Sequence, residues 1–436
     1  MVKYGGTSAF LGIISLIAVS IFLSLFSGVA GIFIGKAIYK KPFPLILLPL
    51  IWVSRDWVIE KVFGGFPWCL AGYSQFKHLF FIQWAEWGGI HLITFLLIYF
   101  NVMIYKMIRE KRARYLITIL ASLVFIDSIG FGLMTIQQRR MKQISVNQAG
   151  IIQPNITHDR IFDFQSISME LKRLFQISES LKRKGAEFVI WPEYTIPIYP
   201  RQTPFYLKQF IDFSGRQIPI LAGFTDYQSQ HDVFNAMLLF NGNQVSQYDK
   251  VRLTPFGEYV PFRKWLFFVK KITDEIGDFT PGRDIHTLSL QGHRLATPIC
   301  YEIIYPELVK DFIAQGGEII ITASNDSWFG LSSAPYQHLS MAVFRCIENR
   351  RYLLRSTSNG ISAAIDPTGK IIYQAEMAAE ESYLARFRYL PHKTFFTRIG
   401  FLFPLLSIFL LMIVFILDIV HRIKIRRRQS PHSSIS

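Results

Sequence analysis

Hydrophobic and polar residues follow two different rhythms along this chain. Long apolar runs occupy the ends, at 10–34, 42–53, 79–105, 115–136 and 399–420. About 20 apolar residues in helical form cross the hydrocarbon of a bilayer. The runs therefore predict five membrane helices, the second carrying Arg55, Asp56 and Glu60 at its far end, near the interface. Between them the pattern changes to short apolar strands separated by amphipathic stretches. Residues 142–152, 188–194, 218–223, 235–241 and 294–299 read as strands, and 169–183, ended by Gly185, and 301–315 read as helices. The expected organisation is a helical membrane domain over 1–141, an α/β domain over 142–392, a C-terminal transmembrane helix over 393–421 and a basic tail over 422–436.

Charge sharpens this picture. The 436 residues include 47 Lys and Arg against 31 Asp and Glu, a net charge of +16. That balance alone would suit a nucleic-acid partner, but its placement argues against one. The dense basic runs 106–114 and 422–428 each abut an apolar segment, as positive-inside anchors do, and Lys36, Lys40 and Lys41 repeat the pattern. With those three regions cytoplasmic, loop 56–78 and the α/β domain face outward, as does Met1. Glu86 lies inside the third run, and a carboxylate at that depth is either paired or functional. The composition, 50% hydrophobic with 39 Phe, fits a membrane protein. Cysteines 69, 300 and 346 make no disulfide framework, and no Cys/His spacing suggests a metal.

Within the α/β region three reactive side chains each close an apolar run. The run from Phe188 stops at Pro192 and Glu193, Lys250 follows a strand-like stretch, and 294–299 ends on Cys300. A helix starting beside Cys300 would favour a thiolate through its unpaired N–H groups and dipole. Singly, each residue has a plainer reading: a small buried thiol, a solvated carboxylate, a solvated amine. Together, a base, an oxyanion-stabilising cation and a nucleophile at strand ends of one domain are a complete set for acyl transfer. Glu258 adds a carboxylate in the Pro/Gly-rich loop beyond Lys250. The segment 263–269, apolar with cationic flanks, reads as core or as a lid that dips into lipid headgroups with Trp265 at the interface.

Several motifs in order carry a family resemblance. Trp191-Pro192-Glu193, Tyr248-Asp249-Lys250 and Cys300-Tyr301-Glu302 resemble the Glu-Lys-Cys triad of the nitrilase superfamily. Loop 254–262 and run 324–330, with His338, Met341 and 354–360, resemble its membrane-embedded branch, the apolipoprotein N-acyltransferases. The resemblance implies an αββα sandwich for the α/β domain, Glu193, Lys250 and Cys300 as catalytic residues, and no cofactor. It implies supporting roles for Asn235, Tyr301, Glu258 and Glu302, the two carboxylates positioning Lys250 and an incoming amine. Loop 64–75 resembles the family's segment near the lipid entrance, so Trp68 and Tyr73, with Trp265 and Trp328, are expected to touch substrate, and Cys69 to pack. The implied reaction moves a fatty acyl chain from a phospholipid, through a thioester on Cys300, to the N-terminal amine of a diacylglyceryl-cysteine apolipoprotein. The implied site is the bacterial cytoplasmic (inner) membrane, with the catalytic domain periplasmic.

The chain departs from the family pattern at two places. Phe162 stands where the family has a tryptophan, and the family carries more spans ahead of the matching region, with a cytoplasmic N-terminus. A start assigned too late or a trimmed lineage is the expectation. Two other classes stay open: a membrane-tethered amidase whose thioester is resolved by water, and a non-catalytic lipid-binding scaffold. The apolar loop and lid argue against the first, and retention of the whole triad against the second.

Overall fold

The structure, a computed structural model, describes residues 9–38, 44–68, 70–156, 163–229, 232–259 and 279–429. Cys69, Phe162 and the expected lid with Trp265 lie outside the described residues.

The N-terminal apolar runs fold as α1 (Ala9–Ile38), α2 (Pro44–Lys61), α3 (Leu79–Ile82), α4 (Ala85–Glu110) and α5 (Ala113–Lys142). Among the described residues four helices are long and apolar enough to cross a membrane: 12–35, 85–110, 113–142 and 402–425. The second expected span is not one of them. Its helix, α2, is shorter and runs on through Arg55, Asp56, Glu60 and Lys61. Asp56 and Glu60 are buried in protein, Asp56 taking Arg55 at 2.7 Å and Glu60 lying 3.4 Å from His91 of α4. The third run is also broken, into α3 and α4. Gly89 kinks α4 with φ 64°, a value glycine adopts freely. The ring of Phe396 fills the place a Cβ would take there, 2.6 Å away. Glu86 is paired: Arg350 of the α/β domain donates to it at 2.7 and 2.9 Å and to Gln83 at 2.6 Å.

The α/β region builds two sheets. The first contains β1 (Asn147–Gln153), β2 (Phe188–Glu193), β3 (Ile220–Tyr227), β4 (Val233–Asn241) and β5 (Gln244–Asp249) in sequential order, with the late strand Glu381–Phe387 (β12) beside β1. The second contains β6 (Leu288–Leu290), β7 (His293–Ala296), β8 (Ile319–Ser324), β9 (Leu353–Thr357), β10 (Ala363–Ile365) and β11 (Ile371–Gln374). Each has a parallel centre, β1–β2–β3 and β7–β8–β9, flanked by antiparallel strands. The sheets face each other, β2 against β8 and β9. Helices α6 (Phe164–Arg183) and α7 (Pro204–Arg216) cover the first, and α8 (Pro306–Ala314) and α9 (Ala334–Asn349) the second, which makes the αββα sandwich.

Burial on both faces explains why β2 reads as a continuous apolar run. Phe188 and Ile190 pack into the core between the sheets, while Val189 and Trp191 pack with Leu174 and Phe210 beneath α6 and α7. Two boundaries differ from the sequence reading for local reasons. Helix α6 starts at Phe164, not Met169, because Asp163 caps it: its carboxylate accepts from Ser166 N at 2.7 Å and Ser166 Oγ accepts from Asp163 N at 2.8 Å. β1 starts at Asn147, because α5 continues to Lys142. The chain closes with α10 (Phe395–Ile399) and the long apolar α11 (Leu402–Gln429).

Candidate active site

The ends of β2 and β5 and the turn that follows β7 bring Glu193, Lys250 and Cys300 together. A regular β2 would point Glu193 to the helix side with Val189 and Trp191, since strand side chains alternate. Pro192 has no N–H for the ladder, and the pairing with β3 jumps from Ile190↔Leu221 to Glu193↔Gly223. The extra residue bulges and re-aims the carboxylate. Gly223 leaves the room, for a Cβ there would lie 2.7 Å from the Glu193 Cα. Glu193 Oε1 then accepts from Asn235 Nδ2 at 2.6 Å and from Lys250 Nζ at 3.5 Å, and Oε2 from Asn325 N at 2.8 Å. Burial, with Glu258 nearby, raises its pKa against the lowering effect of Lys250, and the Cys300 thiol is among its hydrogen-bond partners.

Lys250 follows β5 directly and is fully buried, its backbone N–H on the Asn235 carbonyl at 2.8 Å. Its Nζ donates to Glu258 at 2.9–3.0 Å and to Thr254 Oγ1 at 3.4 Å. Burial alone would lower its pKa; Glu258 and Glu193 more than reverse this and hold the ammonium above the usual lysine range. One Asn235 amide bridges Glu193 and Glu258, and Glu258 Oε2 also accepts from Thr254 N at 2.7 Å.

Cys300 opens a tight turn, Cys300–Ile304, with φ 47°. That left-handed conformation costs a non-glycine residue about 1–2 kcal/mol and persists where the surroundings hold it. Here His338 Nε2 donates to the Cys300 carbonyl at 3.1 Å. The sequence expectation of one helix over 301–315 is corrected. Pro306 disfavours helical backbone at Tyr305, which is extended (φ −88°, ψ 105°), so the Cys300 turn and α8 are separate. Cys300 therefore does not head an α-helix, and the expected dipole-stabilised thiolate is corrected too. Burial, then the Glu193 charge, push the thiol up despite Lys250, so the resting sulfur is protonated.

The other expected residues separate into distinct places. Glu302 is buried, and its oxygens accept from Ile299 N (2.8 Å), Val251 N (2.7 Å), Arg252 N (3.0 Å) and Tyr248 OH (2.9 Å), so it ties the Lys250 segment to the Cys300 turn. Burial raises its pKa to about 7 against those donors. The backbone N–H of Glu302 donates to Ile299 O at 2.9 Å. Trp68 arrives from the membrane part and stacks on buried Tyr301 with ring centroids 6.5 Å apart, its Nε1 donating to Gln337 Oε1 at 2.8 Å. Phe329 and His338 also flank its ring. Tyr73, in contrast, is buried in the junction between the helices and the sandwich, its hydroxyl accepting from Arg345 at 3.1 Å. Trp328 lies exposed on the turn Asp326–Phe329 that follows β8.

The structure adds residues the pattern reading passed over as individuals: Ser324, 3.1 Å from the Cys300 sulfur, and the buried Asp326 and Arg355 behind it. A signal was present. Ser324 ends an apolar strand just as Glu193 does, and an arginine inside the otherwise apolar start of β9 demands a partner.

Fold and site together define a carbon-nitrogen hydrolase domain carried on helices apolar enough to span a membrane. The carbon-nitrogen hydrolase family pattern matches residues 148–386, and the pattern of the apolipoprotein N-acyltransferase N-terminal domain matches residues 1–103. An apolipoprotein N-acyltransferase of Geobacter metallireducens is 31% identical over 402 residues, 88% of this chain and 75% of the relative. Those of Coxiella burnetii and Pseudomonas putida are each 30% identical, over 85% and 86% of this chain and 77% and 75% of their own lengths. The chain belongs to the apolipoprotein N-acyltransferase family.

Proposed function

We propose that this membrane protein transfers a fatty acyl chain from a phospholipid to the N-terminal amine of a diacylglyceryl-cysteine apolipoprotein, in two steps through Cys300. Glu193 takes the thiol proton as sulfur attacks an ester carbonyl of the donor. Lys250 stabilises the oxyanion, a contribution of about 10²–10³ in rate for one well-placed donor. Collapse expels the lysophospholipid, whose oxygen receives the proton from Glu193, and leaves an acyl thioester. The acceptor amine then attacks, gives its proton to Glu193, and releases the sulfur, which is reprotonated. Asn235, Glu258 and Glu302 hold the base and the cation in register, and Trp68 with Tyr301 forms an apolar wall for the acyl chain.

The observation that carries this reading is a convergence: base, cation and thiol meet where a loop from the membrane part lays Trp68 over the residue next to the thiol. A small polar amide would gain nothing from that arrangement. We place the sandwich on the periplasmic face of the bacterial inner membrane. Helix α4 begins at the sandwich with Glu86 on Arg350, and α5 ends just before β1. The basic turn between them is thus about 32 Å beyond the Gly89 kink at 1.5 Å per residue, where positive-inside anchors belong.

Purified protein given phospholipid alone should gain one acyl chain on the Cys300 peptide, removable by hydroxylamine. Cys300→Ala should gain none, and Glu193→Gln should react slower by about 10²–10⁴. A diacylglyceryl-cysteine peptide should discharge the thioester to an amide. Rapid discharge by water would identify a hydrolase instead, and no adduct with any phospholipid would refute the proposal.

A further inference from the structure

One buried cluster touches the nucleophile and plays no part in the steps above. Ser324 Oγ, at the end of β8, lies 3.1 Å from the Cys300 sulfur and 2.8 Å from Asp326 Oδ1. Asp326 Oδ2 accepts from Arg355 Nη2 at 2.7 Å. His338 donates from Nε2 to the Cys300 carbonyl, so its Nδ1 is the bare nitrogen, and Arg355 Nη2 donates to it at 3.0 Å. All four side chains are buried. The cluster therefore grips Cys300 at both ends, the sulfur through Ser324 and the left-handed backbone through His338.

A serine hydroxyl has one proton to donate, and this one has two acceptors. While the sulfur is protonated, the charged and nearer Asp326 is the better acceptor. As sulfur gains negative charge, it becomes a strong acceptor itself. We infer that Ser324 is a catalytic hydrogen-bond donor to sulfur, turning its O–H from Asp326 to Cys300 as thiolate character develops, with Asp326, Arg355 and His338 as positioning residues. The inference rests on Cys300 being the acyl carrier. The donor acts twice, when Glu193 removes the thiol proton and when the second tetrahedral adduct expels sulfur, and the proton stays on Oγ throughout. Asp326 remains a carboxylate for this purpose: burial alone would raise its pKa, but the Arg355 guanidinium more than reverses that. His338 stays neutral, because burial and the Arg355 charge outweigh Asp326.

The charges that bear on the sulfur are those of Glu193, Lys250 and Asp326, with Glu258 behind Lys250 and Arg355 behind Asp326, and the titratable Tyr194 and His338 stand neutral beside them. The test uses the full chain in detergent, with two readouts on the Cys300 peptide: iodoacetamide alkylation against pH, and thioester formation from phosphatidylethanolamine in mixed micelles. Ser324→Ala should raise the alkylation midpoint by about one pH unit and slow thioester formation about 10- to 100-fold. Ser324→Thr, which keeps the hydroxyl, should recover most of both. Asp326→Asn removes the competing charge and should move the midpoint the other way, downward. A parental midpoint and rate in Ser324→Ala overturns the inference, as does a loss that threonine does not recover. If Asp326→Asn fails to fold by thermal unfolding, the alanine and threonine pair decides alone. Acyl transfer to a diacylglyceryl-cysteine peptide persisting in Cys300→Ala would instead sink the acyl-carrier reading, a result distinct from a silent Ser324→Ala.

Discussion

The resting thiol at Cys300 is held neutral by burial and by Glu193, the carboxylate proposed to deprotonate it, a combination that separates two reactivities. Removing the Glu193 charge lowers the thiol pKa, so more thiolate is present at any pH below it. Glu193→Gln should therefore speed iodoacetamide alkylation of Cys300 at neutral pH while slowing acylation by phospholipid. Lys250→Met removes a positive charge that lowers the thiol and should move the alkylation midpoint upward. Parallel changes in the two readouts would mean that Glu193 orients the thiol without setting its charge. Because Glu193 itself is raised above the ordinary carboxylate range, lipid acylation should fall as pH drops toward that raised value, as the base becomes protonated. Glu193→Gln should lack this acid limb.

Elements place these residues through small irregularities. The bulge at Pro192 turns Glu193 from one face of β2 to the other, and Pro306 ends the Cys300 turn before α8 can begin. Glu302 links the two halves of the site by accepting three backbone N–H groups, from Ile299, Val251 and Arg252. In Glu302→Gln the amide NH₂ replaces one acceptor and meets a backbone donor. The cost should be about 1–3 kcal/mol, that of a buried donor left unsatisfied. Thermal unfolding should show a lower Tm, and thioester formation should slow because Lys250 loses its register with Cys300. Full activity with full stability would mean that the tight packing of Tyr248 and Ile299 already sets that register. Glu193, Lys250 and Cys300 were legible as strand ends, whereas the bulge was not, because nothing local to Pro192 states which face the carboxylate must meet.

At the scale of the molecule, helices and sandwich share one core. Tyr73 and Ile90 of the membrane part belong to the same hydrophobic cluster as Phe344 and Ile347 of α9. Polar groups lock the junction: Glu348 accepts from Ile90 N at 2.9 Å where the Gly89 kink interrupts the helix, and Arg345 reaches Tyr73. A rigid junction of this kind keeps Trp68 over Tyr301 and ties orientation in the membrane to access to the site. A phosphatase reporter fused after Gln75 or Gln153 should be active in the periplasm, and one fused after Arg112 silent. Activity after Arg112 would reverse the orientation.

The sequence by itself determined the long apolar helices, the α/β character of the middle, the family and the three strand-end residues, because each is written in local periodicity or in short contiguous motifs. Tertiary structure alone decided the rest. Arg350 neutralises Glu86, a partner 264 residues away that leaves no trace in local pattern, and the fold buries Asp56 and Glu60 in protein. Tyr73 turned out to serve the junction, and Ser324, Asp326, His338 and Arg355 became one cluster around Cys300, for the same reason. Charge and hydrogen-bond partnership are properties of separation in space, and only the folded chain specifies those distances.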